Sequence, residues 1–378
     1  MKITLKRTPE QVELVKAMAS RNKAVAYEAQ VALAEFIGPV LAEVLNQAPT
    51  VSNLFQSLQF NADDNPSIPL DLYYNISDED YVNVWSQSHA GGLPTNQVLP
   101  TASELKLATY SLDSAVSFDR RYAAKSRMDV VSKTFTRVAQ EILIKQETTS
   151  ATLLMTSVAN ATTNGKAHVQ KNEVAGKFTL ADMNDLLTLA KRINSSWIGG
   201  TPTTRTKGLT DIICSPETVQ DIRSMAYNAI NSQDADATAP TTEGLAAPDE
   251  LRMDLFRNAG LPEFYGLSIM EINELGLNEK FNNLFDTAAG STTYGLPDGT
   301  GGIAFDTSTD DFILGVDRTK DSLIRAIAVD AESGSEFTLI ADDQYSIRQN
   351  KIGYFGSIDE GRVVLDNRVL VGKIIERA

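Results

Sequence analysis

The chain has 378 residues, with 34 Lys+Arg against 49 Asp+Glu for a net charge of −15; 42% hydrophobic and 22% charged residues are ordinary globular usage and exclude wholesale disorder. That length predicts two or three compact units, and a pI near 4.7 argues against a dedicated nucleic-acid reader, which needs a basic surface. One cysteine, Cys214, excludes an internal disulfide framework and any thiolate metal cluster.

The N-terminus opens on a helix start. Thr8 can cap, Pro9 suits the first helical position and Gln11 completes a capping box. Val12, Val15, Met18, Val25, Ala29, Ala32, Leu33 and Phe36 keep helical spacing until Gly38-Pro39, where a break is expected, followed by a short helix to about Leu45. Each helix shows one weakly apolar face, which suits packing on another surface better than forming a core. The first 25 residues carry Lys2, Lys6, Arg7, Glu10, Glu13, Lys16, Arg21 and Lys23 and no apolar core, so no secretory signal and cytoplasmic synthesis are expected. No apolar run approaches the roughly 18 residues that span a bilayer, so no membrane partner is expected.

Charge is unevenly spread. From Ala24 to Leu105 there is no Lys or Arg, while Glu28, Glu35, Glu43, Asp63, Asp64, Asp71, Asp78, Glu79, Asp80 and Glu104 are all acidic. Such a segment needs water or a basic surface elsewhere. Within it, Pro66, Pro69, Gly91, Gly92, Pro94 and Pro100 punctuate short β-type runs at Leu70–Tyr74 and Tyr81–Trp85. Leu105 to Phe118 continues as extended chain. This predicts a long hairpin over 55–119 with its tip near His89–Pro94, too thin to bury a core of its own.

Arg121 to Asn164 holds neither Gly nor Pro, and Val131, Phe135, Val138 and Ile142 step by helical intervals. A helix of about 30 residues, roughly 45 Å long, is predicted as a structural spine. Next, Thr179 with Asp182 caps a helix bearing Met183, Leu186, Leu187, Ala190 and Ile193. Leu209–Cys214 reads as a buried strand, and Ser215-Pro216 starts a helix carrying Val219, Ile222 and Met225. Asn231–Glu250 and the glycine-rich Gly290–Gly302 read as flexible loops. Leu267–Ile272, Phe312–Val316 and Leu323–Val329 read as strands. Val363–Leu365 and Val369–Val371 flank Asp366-Asn367 as a closing hairpin.

Catalytic patterns are missing. His89 and His168 are the only histidines, lie in polar, loop-like stretches and read as solvated. Cys214 reads as a small core residue. Gly266-Leu267-Ser268 has Met270 where a nucleophile elbow needs a second glycine, and no phosphate loop exists. Asp78-Glu79-Asp80 reads as a solvated face rather than a metal site. No catalytic residue, cofactor or metal is expected. One basic cluster, Arg120, Arg121, Lys125, Arg127, Lys133 and Arg137, is open to three readings: a solvated helix face, a dock for the acidic segment of a neighbouring copy, or a DNA contact.

The order of elements resembles the major capsid proteins of tailed bacteriophages, the Hong Kong 97 fold shared with encapsulin shells. Trp85 through Gly91-Gly92-Leu93-Pro94 to Glu104-Leu105-Lys106-Leu107 resembles that family's extended loop, and Ser114–Asp119 its junction with the spine helix. Ile213–Thr218 resembles a turn of the peripheral domain and Phe312–Asp317 a strand of the axial domain. Ile352-Gly353-Tyr354 through Asp366–Val371 resembles the ending. The resemblance implies an α+β fold with an N-terminal helical arm (1–54), an extended β-hairpin loop (55–119) and a peripheral domain with spine helix (120–228). An axial domain (229–332) and a C-terminal return to the peripheral domain (333–378) complete it. It further implies hexamers and pentamers of an icosahedral shell around packaged DNA read without sequence-specific contact, in a virion assembled in the host bacterial cytoplasm. A separate scaffolding protein, a portal and a cement or decoration protein are the implied partners. Assembly contacts are expected at His89, Gly91, Gly92, Pro94, Arg120, Arg121, Lys125 and Arg127. An encapsulin-type compartment and a filament protein are the alternatives. Some members crosslink through a loop lysine. None lies between Lys23 and Lys106 here, so a shell without that bond is expected.

Overall fold

The structure, a computed structural model, describes residues 8–48, 50–61, 66–69, 104–163, 165–194, 208–225, 263–264, 266–329, 335–342 and 349–377. Thr8 caps α1 (Pro9–Met18), its Oγ1 accepting the Gln11 N–H. Asn22 then caps α2 (Lys23–Gln47) through the Ala24 N–H. Strands β1 (Gln56–Asn61), β2 (Ser67–Pro69), β3 (Glu104–Lys106) and β4 (Tyr110–Asp119) follow. Next come α3 (Arg120–Ala124) and the spine helix α4 (Met128–Ala159), whose 32 residues span roughly 48 Å. Ser126, at φ 51°, separates the two helices. The many Ser and Thr of α4 stay helical because their hydroxyls donate one turn back, as Thr134 does to Val130 and Ser150 to Gln146.

After α4 come β5 (Thr162–Thr163), β6 (Lys166–Ala167), β7 (Val169–Lys171), α5 (Leu180–Asn194), β8 (Asp211–Cys214) and α6 (Pro216–Met225). Then follow β9 (Glu263–Phe264), β10 (Leu267–Glu271), α7 (Lys280–Ala289), β11 (Thr293–Tyr294), β12 (Ile303–Ala304), β13 (Asp310–Val316) and β14 (Leu323–Val329). The chain closes with β15 (Thr338–Asp342), β16 (Lys351–Val364) and β17 (Leu370–Glu376). The α+β expectation holds. The chain divides into two compact units, 1–68 with 104–150 and 323–363, and 69–103 with 151–322 and 364–378.

The first unit is built on a sheet ordered β1-β14-β16-β15, with β4 also paired antiparallel to the long β16. β1 runs parallel to β14. Alternation along β4 and β16 sends Leu112, Val116, Phe118, Ile352, Tyr354 and Ile358 into one core with Leu33, Ile37 and Leu41 of α2 and Val131, Phe135, Val138 and Ile142 of α4. Tyr354 sits at its centre, stacked 6.3 Å from Phe118 and edge-on at 5.2 Å to Phe135.

The second unit has a six-stranded sheet ordered β7-β17-β13-β8-β10-β9. Every residue of β13 is buried, because both faces of that strand are covered. Ile313 enters a core with α5, α6 and Cys214. Phe312 turns the other way and stacks on Phe285 of α7 at 3.9 Å, beside Phe305 and Tyr294.

Five expectations are corrected. Gly38-Pro39 does not break the helix: burial of Leu33, Ile37, Leu41 and Leu45 carries α2 through it, and the real break is at Ala19–Asn22. α1 and α2 therefore help form a core rather than lie on one. Lys23–Asn46 is long and apolar enough, by length and composition, to cross a membrane, contrary to the expectation that no such run exists; one side of it is spent on that core. Gly290–Gly302 is an ordered hairpin, because Tyr294 is buried and its hydroxyl donates to the Ala159 carbonyl at 2.6 Å. The C-terminal strands do not pair as a hairpin. Asp366 caps a single turn (Asn367–Val369), and β17, buried on both faces, takes an interior place between β7 and β13. Asn231–Glu250 lies outside the described residues.

Candidate assembly surface

Of the eight residues expected to make assembly contacts, Arg120, Arg121, Lys125 and Arg127 are described, around α3 and the turn into α4; His89, Gly91, Gly92 and Pro94 lie outside the described residues. Two of the four already have partners. Arg120 Nη2 donates to the Ala19 carbonyl at 3.2 Å and to that of Ser20, closing the C-terminal end of α1. Arg121 pairs with Asp119 at 2.9 Å and holds that carboxyl below the usual range. Lys125 and Arg127 are exposed, as are Lys133 and Arg137 farther along α4. Tyr122 and Ile144, 45% and 57% exposed, give the same helices an apolar component. The cation stretch is plain in the sequence, whereas the use of Arg120 as a helix cap is not, since Ala19 and Ser20 lie a hundred residues away.

At the other end of the β4–β16 ladder lies a cluster that the sequence reading missed. Glu360 of β16 is fully buried, and its carboxylate accepts from Arg325 Nε at 3.0 Å, Gln146 Nε2 at 3.0 Å, the Tyr110 hydroxyl at 2.9 Å and Arg362 Nη2 at 3.1 Å. Arg362 donates onward to Ser52 Oγ at 2.8 Å and to the Gln146 carbonyl at 3.1 Å. Arg325 also reaches Asn46 Oδ1 at 3.4 Å. Burial raises the Tyr110 phenol to about 12, so it remains a donor. The only sequence signal was Arg and Glu inside runs that otherwise read as strands.

The second unit has its own buried carboxylate. Asp311 accepts from Ser215, from Thr218 at 3.1 Å and from Arg377 Nε at 3.1 Å, while Arg377 Nη1 also reaches Asp221 at 2.8 Å. The expected capping pair is present, with Thr179 Oγ1 donating to Asp182 at 2.6 Å. His168 is corrected: it is fully buried, its Nδ1 faces the Leu370 carbonyl at 3.0 Å and its Nε2 the Thr163 hydroxyl at 2.8 Å. Desolvation holds its pKa below the ordinary value. Cys214 is fully buried as expected, and burial pushes its thiol up to about 12. Among the described residues, no group of three or more His, Cys, Asp or Glu could hold a metal ion.

No protein-family model matches the sequence, and no curated protein does. Solved structures do. Those it resembles are capsids and encapsulins. An empty GTA particle capsid aligns over 87% of this chain and 90% of its own, at 11% identity and a TM-score of 0.48. The SrpI encapsulin of Synechococcus elongatus aligns over 86% and 87%, at 11% identity and 0.44. The virus-like particle of Pyrococcus furiosus aligns over 91% and 99%, at 12% identity and 0.42.

Proposed function

We propose that this chain is a shell subunit: a major capsid protein that assembles as hexamers and pentamers into an icosahedral container for a phage genome. The observation that carries the reading is the spine helix α4, 32 residues long, reached from the extended strand β4 through the short α3. A helix of that length exceeds what one small core needs, and the acidic stretch from Ala24 to Leu105 contains no cation of its own. Exposed Lys125 and Arg127 supply a basic surface for a neighbour's acidic loop. Each exposed pair is worth only about 0–1 kcal/mol, but every subunit repeats it. A scaffolding protein, a portal and a decoration protein complete the proposal, with DNA held without sequence-specific contact.

Negative-stain images and sedimentation of the full chain test it. Closed shells protecting nuclease-resistant DNA are expected in infected cells; discrete monomers across salt conditions and with scaffold present overturn it. Shells holding protein and no nucleic acid would favour an encapsulin-type compartment. Lys106, exposed on β3, is the first lysine after Lys23. Particles boiled in reducing SDS should therefore run as one band near 41.1 kDa. A ladder of pentamers and hexamers would contradict a shell without crosslinks.

A further inference from the structure

The Glu360 cluster does more than fill a core. Its hydrogen-bond partners lie at the foot of two limbs of chain. One limb runs from the end of α2 through Ser52 into β1, and the other returns through β3 to Tyr110, the first residue of β4. Arg362 holds the first limb at Ser52, while Glu360 and Arg362 both hold the second at the Tyr110 hydroxyl, 2.9 and 3.3 Å away. A second bridge reinforces the first limb: Glu336 accepts from Asn46 at 2.6 Å and from Gln59 at 2.8 Å, while Glu147 of α4 accepts the Val51 N–H at 3.1 Å. Between Glu360 and Arg362 stands Gly361. A Cβ there would lie 2.7 Å from the Ala108 carbonyl oxygen, so only glycine lets the returning limb come this close.

We propose that Glu360, Gly361 and Arg362 form a clamp that fixes the foot of both limbs on the first unit, making them positioning residues for β1 and for the segment that enters β4. Arg362, held by Glu360, donates to both limbs, at Ser52 and at Tyr110, so neither foot shifts without giving up a hydrogen bond of that buried pair. Hydrophobic packing alone would not impose this, because β1 is exposed along nearly all its length. The consequence for assembly rests on the shell reading; the clamp itself does not.

Hydrogen exchange on the full chain tests it. Glu360→Gln removes the charge, and Gly361→Ala keeps every charge but pushes on Ala108. Phe135→Ala, a cavity in the same core, is the control for general loosening. Both clamp variants should speed amide exchange in Gln56–Asn61 and Glu104–Leu112 by about tenfold or more over the control, with α5 and β13 unchanged. Equal exchange in the limbs of clamp variants and control overturns the clamp. Should Glu360→Gln fail to fold, Gly361→Ala decides alone. On the shell reading, Gly361→Ala should also lower shell yield about tenfold below Phe135→Ala. Unchanged shell yield with loosened limbs overturns the positioning role, and a wild-type chain that forms no shell counts against the shell reading while leaving the exchange result intact.

Discussion

Glu360 and Asp311 are the same chemical device used in two settings. Both are fully buried carboxylates facing arginine and hydroxyl donors. Asp311 sits on the central strand β13 and joins the start of α6, through Ser215 and Thr218, to the last turn of chain at Arg377. It closes a fold on itself. Glu360 gathers residues where two separate segments, one before β1 and one at the start of β4, meet β16. The contrast teaches that a buried charge network tells little until the chain segments it joins are traced.

Removing either charge sharpens the contrast most. Glu360→Gln leaves the buried Arg325 and Arg362 guanidiniums without the carboxylate they share and should cost about 3–5 kcal/mol in denaturant unfolding. Asp311→Asn should cost less, about 1–3 kcal/mol, because Arg377 keeps Asp221. Asp311→Asn should lower the transition of the second unit as a whole, read through α5 and β13 exchange. A variant of either kind within about 1 kcal/mol of the parent would show that its network contributes little. The next effect has the opposite sign. Pro39 stands inside α2, where it removes one backbone hydrogen bond. Pro39→Ala restores it and should stabilise the first unit by about 1–2 kcal/mol, the helix gain of about 3 less the lost rigidity of the unfolded chain.

Tyr294→Phe probes the second unit instead. It deprives the Ala159 carbonyl of its donor and should cost about 1 kcal/mol in thermal unfolding. The smallest effect depends on pH and separates the units cleanly, because no histidine occurs in the first. Burial favours the neutral form of His168, so its contribution is complete above the ordinary value of about 6.5 and is lost as pH falls toward the depressed one. Acidification from about 6.5 should therefore weaken the second unit, and His168→Gln should flatten that dependence. An unchanged slope would assign it to the carboxylates.

Local signals were legible where one short stretch decides the outcome. Thr179 with Asp182, Ser215-Pro216 and the glycine-free run through α4 all gave the elements found, because caps and periodicity act within a few residues. Errors arose where distant burial outweighs local chemistry. Pro39 is a helix breaker by its own nature, yet α2 has a whole core on one side. Asp366-Asn367 is a hairpin signal by itself, yet β17 is too apolar on both faces for that position. His168 looked polar because its neighbours in sequence are polar, while its neighbours in space are Leu370 and Thr163. The Glu360 cluster draws on Ser52, Tyr110, Gln146, Arg325 and Arg362, and no sequence period links those positions.

Cys214 carries a practical consequence. It is the sole thiol of the chain, sealed in a core and with its ionisation pushed up to about 12. Thiolates, not thiols, attack maleimides, so the native protein should stay dark to such dyes at neutral pH. Any cysteine placed on the surface would then be the only one labelled. A dye at Leu58 on one limb and another at Ile340 on the sheet would turn the foot of the limbs into a fluorescence ruler, read against a silent background.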